Sequence, residues 1–203
     1  MLATVALLLF LLDSSKSVKI LEFSANRSDG SGATLRDPQT FNITDHTLCI
    51  DMFMERIRNH LPIGSKNDGY STPLSIPSDF NRVGMKLKGI WFIAYTEEIQ
   101  PFKWSTYCYS YKSNDKILMI TFNGVLLLKN QESLIPDGSI VPTFLEDIIL
   151  GKKDSRRTFT GKLTRMNIWS KPMNERILKE LSQCGTTLQV YPDPDILAWD
   201  QVE

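Results

Sequence analysis

Hydrophobic and polar residues alternate along much of the chain with a period of two. In the segment 47–55 the apolar positions are Leu48, Ile50, Met52 and Met54. Only Phe53 breaks the alternation. Because successive side chains of a β-strand point to opposite faces, this pattern predicts a strand with one face toward a core.

Further segments show the same period or are rich in β-branched and aromatic residues. We predict strands at 19–24, 89–95, 104–112, 116–122, 125–129, 148–150, 162–169 and 196–199. Asn123-Gly124 separates two of them and is the strongest short hairpin signal, since a type I′ turn requires positive φ at both central positions. These features predict a chain dominated by antiparallel β-structure.

One segment has a helical period instead. Its apolar residues lie on one helical face: Met173, Ile177, Leu178 and Leu181. Asn174 is placed to cap the start of this helix, and Gly185 to stop it. The segment 62–89 is rich in Pro, Gly, Ser and Asn, so we expect long loops there with one or two short strands.

The strands, the hairpin and the single helix predict a two-sheet sandwich. The length of 203 residues fits one large β-sandwich domain or two small ones, and an apolar fraction of 42% can fill its core. The 23 basic and 23 acidic residues cancel. No bulk field therefore draws the chain to nucleic acid, and we expect no nucleic-acid partner.

The N-terminal segment has the composition of a secretory leader. Residues 3–12 are apolar except for Thr4, and the run is shorter than the roughly 20 residues that span a membrane. The polar stretch 13–17 follows, with small residues at positions 15 and 17, a spacing that signal peptidase reads. We predict a signal peptide over 1–17 and one mature domain over 18–203. A buried N-terminal strand and a membrane anchor remain the alternatives.

The remaining sequence agrees with an extracellular location. No later apolar run approaches the roughly 20 residues that span a membrane, so we expect a secreted protein without a transmembrane segment. Asn26 and Asn42 each begin an Asn-x-Ser/Thr triplet and are predicted N-glycosylation sites. In an oxidising compartment the three cysteines can form disulfides.

The order of motifs in the second half resembles one family. The motifs are Trp104-Ser-Thr-Tyr-Cys-Tyr-Ser-Tyr111, Asn123-Gly124, Asp147-Ile-Ile-Leu-Gly151, Phe159-Thr-Gly-Lys-Leu163, Met166-Asn-Ile-Trp169, the helix, and Ile196-Leu-Ala-Trp199. They resemble the pentraxins and their laminin-G-like relatives among the concanavalin A-like jelly rolls. In the first half, Phe23 and Leu48-Cys49-Ile50-Asp51 fit the same family. The resemblance implies an antiparallel jelly-roll sandwich.

The resemblance also implies a disulfide between Cys49 and Cys108. From the residues alone, both cysteines lie in predicted strands, and another pairing or free buried thiols remain the alternatives. Cys184 is then left over, which in a secreted protein indicates an intermolecular disulfide or a reactive thiol. A buried free thiol, or a missing partner cysteine, is the alternative reading for Cys184.

Two departures from the family pattern bear on calcium. The family signature has His two residues before the second cysteine and Trp three after it, where this chain has Thr106 and Tyr111. The loop in which the family binds calcium corresponds to 152–157, which has four cations and only Asp154 as an acid. Calcium takes six to eight oxygen ligands. We therefore predict that the chain binds no calcium in the pentraxin manner and needs no cofactor.

No catalytic arrangement is evident in the sequence. Jelly-roll glycosidases place two carboxylates on one strand face, whereas Glu97-Glu98 and Glu146-Asp147 are adjacent pairs that would face opposite ways. The nucleophile elbow Gly-x-Ser-x-Gly and the zinc motif His-Glu-x-x-His are both missing. We expect that the chain is not an enzyme.

Six cations lie close together in the second half: Lys152, Lys153, Arg156, Arg157, Lys162 and Arg165. They predict either a site for anionic glycans or lipid headgroups, or an ordinary solvated loop. The four tryptophans, at positions 91, 104, 169 and 199, are expected to fill the core.

These observations predict a secreted, non-catalytic recognition or adhesion module that binds an extracellular glycan or protein. A structural subunit, linked through Cys184 into a homo- or hetero-oligomer, is the second hypothesis, and a glycan-cleaving enzyme is the third. Since jelly rolls host lectins, adhesion domains and hydrolases, the fold alone does not choose among them.

Overall fold

A computed structural model describes residues 20–23, 33–34, 45–55, 60–65, 72–76, 81–87, 90–97, 99–131, 148–151, 159–183 and 193–195. These residues form antiparallel strands and one short helix, α1 (Glu175–Leu181). The strands in chain order are β1 (Leu21–Phe23), β2 (Ala33–Thr34), β3 (His46–Met54), β4 (His60–Ser65), β5 (Thr72–Ile76), β6 (Arg82–Leu87), β7 (Ile90–Tyr95), β8 (Trp104–Lys112), β9 (Ile117–Phe122), β10 (Val125–Gln131), β11 (Ile148–Leu150) and β12 (Gly161–Trp169).

The strands form two six-stranded sheets. The first sheet has the order β1-β12-β3-β8-β9-β10, and the second has the order β2-β11-β4-β5-β6-β7. Neighbouring strands pair antiparallel in both. The predicted all-β, two-sheet antiparallel sandwich with one short helix is therefore confirmed.

The main core lies between the sheets. The alternating apolar residues of β3, Leu48, Ile50, Met52 and Met54, are at most 1% exposed and belong to it. The second sheet contributes Val83 and Met85 from β6 and Phe92 and Ala94 from β7. The period of two in 47–55 thus identified the inward face correctly.

A second apolar cluster lies on the outer face of the first sheet, beneath α1. Its buried members are Cys49, Cys108, Met119, Trp169, Met173, Leu178 and Leu181. The segment before the helix contacts this face of β3, since the Thr47 hydroxyl donates to the carbonyl of Lys171 at 2.9 Å. β3 is thus buried on both sides. Thr47 is fully buried and Asp51 is only 6% exposed.

The start of the helix is as predicted, and its end is earlier. The Asn174 side chain accepts a hydrogen bond from the backbone N–H of Ile177 at 3.0 Å, which confirms the N-cap. The helix ends at Leu181, because Ser182 caps it: its hydroxyl donates to the carbonyl of Lys179 at 3.1 Å. Gly185, expected as the stop signal, lies outside the described residues.

The hairpin turn is confirmed. Asn123 and Gly124, between β9 and β10, have φ values of 48° and 81°, as a type I′ turn requires. A Cβ at Gly124 would lie 2.9 Å from Cγ of Gln183. Glycine is therefore needed there for the positive φ and for the close approach of the chain that follows α1.

The number of strands expected in the segment 62–89 was too low. The structure has three strands, β4, β5 and β6, in or overlapping this segment, where we expected one or two. The pairings of β4 with β5 and of β5 with β6 are both irregular in register. Irregular register explains why no clean alternation appears in the sequence. These strands are held by their neighbours in the sheet more than by local propensity.

Candidate functional site

The outer face of β7 exposes a row of large apolar side chains. Trp91, Ile93 and Tyr95 are 44%, 43% and 68% exposed, whereas the intervening Phe92 and Ala94 are 3% and 2% exposed. The strand therefore turns its smaller aromatic residue to the core and its two larger ones to solvent. A contiguous row of this kind marks an interaction surface more often than isolated exposed apolar residues do.

The expectation that Trp91 packs in the core was wrong. The sequence Ile90-Trp-Phe-Ile-Ala-Tyr95 is apolar at every position, so alternation could not tell which face is buried. The buried Val83 and Met85 on the paired strand β6 lie opposite Ala94 and Phe92, and this pairing decides which face of β7 is buried. Trp169 is fully buried, as expected, and Trp104 is half-buried with its ring 5.6 Å from that of Phe53. Trp199 lies outside the described residues.

The neighbouring strand β6 completes this surface. Arg82 pairs with Tyr95, Gly84 with Ile93, and Lys86 with Trp91, so all six residues share the outer face. We call these six residues the aromatic face. Arg82 and Lys86 are partly buried within it.

Gly84 makes room for the Trp91 indole. A Cβ placed on Gly84 would lie 3.6 Å from Cζ3 and 3.7 Å from Cε3 of Trp91. The six-membered ring of the indole therefore lies beside the Gly84 backbone, in ordinary van der Waals reach of a Cβ at that position. This contact supports one side of the ring and leaves the side chain 44% exposed.

The aromatic face combines two chemical groups. Its indole and phenol rings present flat apolar surface, and its Arg and Lys side chains supply hydrogen-bond donors. A sugar ring has apolar C–H groups on one side and polar groups at its edge, and both can be met by this combination. The signal for this site in the sequence was the regular spacing of two cations on β6 opposite two aromatic residues on β7.

The outer face of the first sheet holds the disulfide. Cys49 on β3 lies directly opposite Cys108 on β8, and their sulfur atoms are bonded at 2.05 Å. Cys49 is 4% exposed and Cys108 is fully buried, in the cluster beneath α1. This is the pairing that the family resemblance implies.

A buried ion pair lies on the same face, next to the disulfide. The Asp51 carboxylate accepts from the Arg165 guanidinium and from the Thr106 hydroxyl, the latter at 2.7 Å. Burial raises the pKa of the Asp51 carboxyl, and the Arg165 charge opposes that rise. Arg165 sits at a bulge of β12 with a φ of 49°. The bulge therefore directs the Arg165 side chain toward Asp51.

The other predicted site residues are placed only in part. Lys162 lies on β12 with its Nζ 4.0 Å from a carboxylate oxygen of Glu22. Several residues lie outside the described part of the chain: Lys152, Lys153, Arg156, Arg157, Asn26, Asn42 and Cys184. The anionic-ligand patch, the two glycosylation sites and the oligomer through Cys184 therefore stay predictions.

A groove of about 300 Å³ lies between the start of α1 and the strands β8–β10. Its apolar lining includes Ile117, Met119 and Met173. Ion pairs line the same groove, Lys112 with Asp115 at 2.5 Å and Lys129 with Glu175 at 3.3 Å. Because these charges neutralise one another, the groove has no distinct charge for a ligand to recognise.

Within the residues that the structure describes, no three His, Cys, Asp or Glu side chains are grouped as metal ligands would be. No helix in these ranges combines the length and apolar character needed to cross a membrane.

No protein-family model matches the chain. Among curated proteins it is similar to C-reactive protein 1.1 of Limulus polyphemus, with 24% identity over 107 residues. The match covers 50% of this chain and 44% of that relative, so it spans less than half of the relative's length.

Solved structures extend the likeness to nearly the whole chain. A heptameric SAP-like pentraxin from Limulus polyphemus has a TM-score of 0.68 with 14% identity, over 92% of this chain and 89% of that one. The fold is a pentraxin-like jelly roll. The IT-sialidase CBM40 of Ruminococcus gnavus, bound to α2,3-sialyllactose, has a TM-score of 0.61 with 17% identity, over 81% of this chain and 96% of that one. The resemblance to pentraxins and concanavalin A-like jelly rolls is thus confirmed as a resemblance in fold.

Proposed function

We propose that this chain is a secreted, non-catalytic module that binds glycans through its aromatic face. The observation that carries this proposal is the row of Trp91, Ile93 and Tyr95, each more than 40% exposed, on a strand whose other side is buried. Exposing this much apolar surface is unfavourable for folding. A ligand that covers the row would remove this apolar surface from water.

The pentraxin-like fold supports this proposal. One neighbour in fold is a structure with bound sialyllactose. A jelly roll can therefore hold a saccharide without further domains in at least one protein of this architecture. The ligand of this chain must be inferred from its own residues, because folds of this class serve many functions.

The composition of the aromatic face favours binding a sugar over hydrolysing it. Glycosidases of the usual kind need two carboxyl groups on either side of the scissile bond. The six residues of the face are Arg82, Gly84, Lys86, Trp91, Ile93 and Tyr95, and none is an acid. Stacking and hydrogen bonding are the interactions available to these residues.

The proposal includes the predicted processing and the calcium independence. The leader over 1–17 would be removed, and the domain 18–203 would act outside the cell. Since the cation-rich segment 152–157 offers only Asp154 as an acid, binding through the aromatic face should not require calcium.

A glycan array with the purified mature domain tests the proposal. We expect binding to a set of glycans that persists in the presence of a calcium chelator and falls at least about 30-fold in Trp91→Ala, as loss of an aromatic anchor usually does. Phe102→Ala is the matched control. Its ring is 64% exposed, and its backbone N–H bonds to Met54 of the first sheet at 2.8 Å. Equal binding by the unmodified domain and Trp91→Ala would contradict the proposal.

A further inference from the structure

The exposed row of β7 is longer than a single sugar ring. We propose that the aromatic face binds several consecutive units of a linear polysaccharide whose sugar rings are joined through equatorial bonds, as in β-1,4-linked glucans and chitin. This inference rests on the proposed function and narrows it.

The three exposed side chains of β7 form a straight row. Trp91, Ile93 and Tyr95 lie at every second position, and the side chains between them are buried. All three therefore project from the same side of the sheet. The residue pairs between β6 and β7 follow one another in unbroken register. Because a bulge would interrupt that register, the strand carries the row without a local bend.

The end of the row at Tyr95 is held by the backbone. Thr96 follows the strand, and its N–H donates to the carbonyl of Asn81 at 2.8 Å. This bond continues the pairing of β6 with β7 past the last residue of β7. The Tyr95 ring is 68% exposed, but the backbone beneath it is paired. A ligand therefore does not have to order the strand before it binds, which lowers the cost of binding.

The spacing of the row requires a chain of sugars. A strand rises about 3.3 Å per residue, so the Cα atoms of Trp91 and Tyr95 are about 13 Å apart. A single sugar ring is much shorter than this distance and can stack on only one of the two aromatic rings. A chain of several sugars can contact both, with Ile93 beneath its middle. The second contact is then intramolecular, so affinity should increase with chain length.

The straightness of the row favours one kind of linkage. Equatorial bonds keep a chain of pyranoses extended and leave apolar C–H groups on both faces of each ring, so the chain is a flat ribbon. Aromatic side chains offer flat apolar surface for such rings to stack on. In an α-1,4-linked chain one bond at each linkage is axial, and the chain coils. A coil cannot contact three side chains along a straight strand at once.

Gly84 widens the surface on which a ribbon can lie. It is opposite Ile93 on β6 and has no side chain of its own. The Trp91 indole extends toward it, with Cζ3 at 3.6 Å from the position that a Cβ on Gly84 would take. The aromatic surface at this end of the row therefore reaches from β7 onto β6.

The area of the row fits an oligosaccharide better than a second copy of this chain. A large aromatic side chain buries about 150 to 250 Å² when it is fully covered, so at the exposures of Trp91, Ile93 and Tyr95 the row offers roughly 300 Å². A stable protein interface needs about 800 Å² from each partner. The row is also only one strand long and narrow, which is the shape of a linear chain.

Oligosaccharide ladders test the proposal by isothermal titration calorimetry. The probes are cello- and chito-oligosaccharides from disaccharide to hexasaccharide. Maltohexaose is the matched control, because it has the glucose units of cellohexaose joined by α-1,4 bonds. None of these probes is charged. We expect at least one of the two series to bind at least about 10-fold more tightly as hexasaccharide than as disaccharide, and maltohexaose to bind at least about 10-fold more weakly than that hexasaccharide.

Substitutions assign the length dependence to the row. Tyr95→Ala should weaken binding of the hexasaccharide about 10-fold and leave the disaccharide, which stacks on Trp91, nearly unchanged. Tyr95→Phe keeps the ring and should bind as the unmodified domain does. Phe102→Ala removes an exposed ring elsewhere and should have no effect. Thermal unfolding of each variant checks that the fold is intact.

Three outcomes would overturn this inference and leave the proposed function standing. They are a disaccharide that binds as tightly as its hexasaccharide, maltohexaose that binds as tightly as cellohexaose and chitohexaose, and binding of other array glycans without binding of either series. Absence of binding to any glycan on the array would overturn the proposed function itself. A dimer in solution that Trp91→Ala dissociates would assign the face to a second copy of this chain and overturn both.

Discussion

The outer faces of the two sheets use similar residues for opposite purposes. On the first sheet, α1 covers the disulfide and Trp169, which is fully buried. On the second sheet, no described helix lies over β6 and β7, and Trp91 remains 44% exposed. The two outer faces therefore differ in burial: one packs beneath a helix, and we propose that the other binds a ligand.

The charged residues of the two faces also have different described neighbours. On the first sheet, Arg165 is paired with the buried Asp51. On the second sheet, Arg82 and Lys86 lie beside aromatic rings. If the division is correct, substitutions on the first sheet should change stability, and those on the aromatic face should change binding.

The largest effect on stability is expected for Trp169→Ala. This large side chain is fully buried in the cluster beneath α1, so its removal leaves a large cavity. We expect a loss of about 3 to 5 kcal/mol in the free energy of unfolding, measured by chemical denaturation. Glycan binding by the molecules that remain folded should be unchanged. A loss below 1 kcal/mol would show that the face under α1 is not a packed core.

The disulfide should contribute nearly as much. Cys49 and Cys108 are 59 residues apart in sequence, and closing a loop of this length is worth about 4 kcal/mol in the chain-entropy model. The double variant Cys49→Ala, Cys108→Ala should lower the midpoint of urea unfolding accordingly, with the aromatic face still able to bind. An unchanged midpoint would remove the disulfide from the account of stability.

A smaller, pH-dependent effect is expected for Arg165→Ala. The substitution leaves the Asp51 carboxylate buried without its counter-charge, which should cost about 2 kcal/mol at pH 7. Without Arg165 the pKa of Asp51 rises further, because burial is then less opposed. An acid with a raised folded pKa gains stability as the pH falls toward its unfolded value. The deficit relative to the unmodified chain should therefore shrink between pH 7 and pH 5, as denaturation at both pH values would show. A deficit that stays constant or grows would contradict this role of the pair.

The smallest effect on stability is expected for Trp91→Ala. About half of this side chain is already exposed, so its loss should change the free energy of unfolding by about 1 kcal/mol or less. Gly84→Val tests the contact between residue 84 and the Trp91 indole. The valine side chain should crowd the indole while Trp91 itself is retained. We expect this variant to weaken glycan binding. Unfolding of either variant at ordinary temperature would show that Trp91 belongs to the core after all.

Much of the fold could be predicted from sequence because it is encoded locally. The alternation around Ile50, the turn at Asn123-Gly124 and the cap at Asn174 each depend on a few neighbouring residues, and each is confirmed. The three strands between His60 and Leu87 were underestimated, because both of their pairings with one another are irregular in register and leave no clean alternation in the sequence. Local patterns do not report such pairing.

The candidate site was harder to predict for a related reason. The apolar run of β7 contains residues for both faces, and its phase is set only by the partner strand β6. Trp91 was therefore assigned to the core. The alternation in 47–55 places Asp51 on the outward face of β3, and its partner Arg165 is far away in the sequence.

Nuclear magnetic resonance of the indole N–H groups tests the central claim most directly. The chain has four tryptophans, so a ¹⁵N-labelled domain gives a small set of well-separated side-chain signals that can be followed while an oligosaccharide that binds on the array is added. We expect the Trp91 signal to shift in a saturable manner while the Trp169 signal stays in place. A titration that moves the signal of Trp169 or Trp104 and leaves that of Trp91 unchanged would contradict the assignment of the binding face.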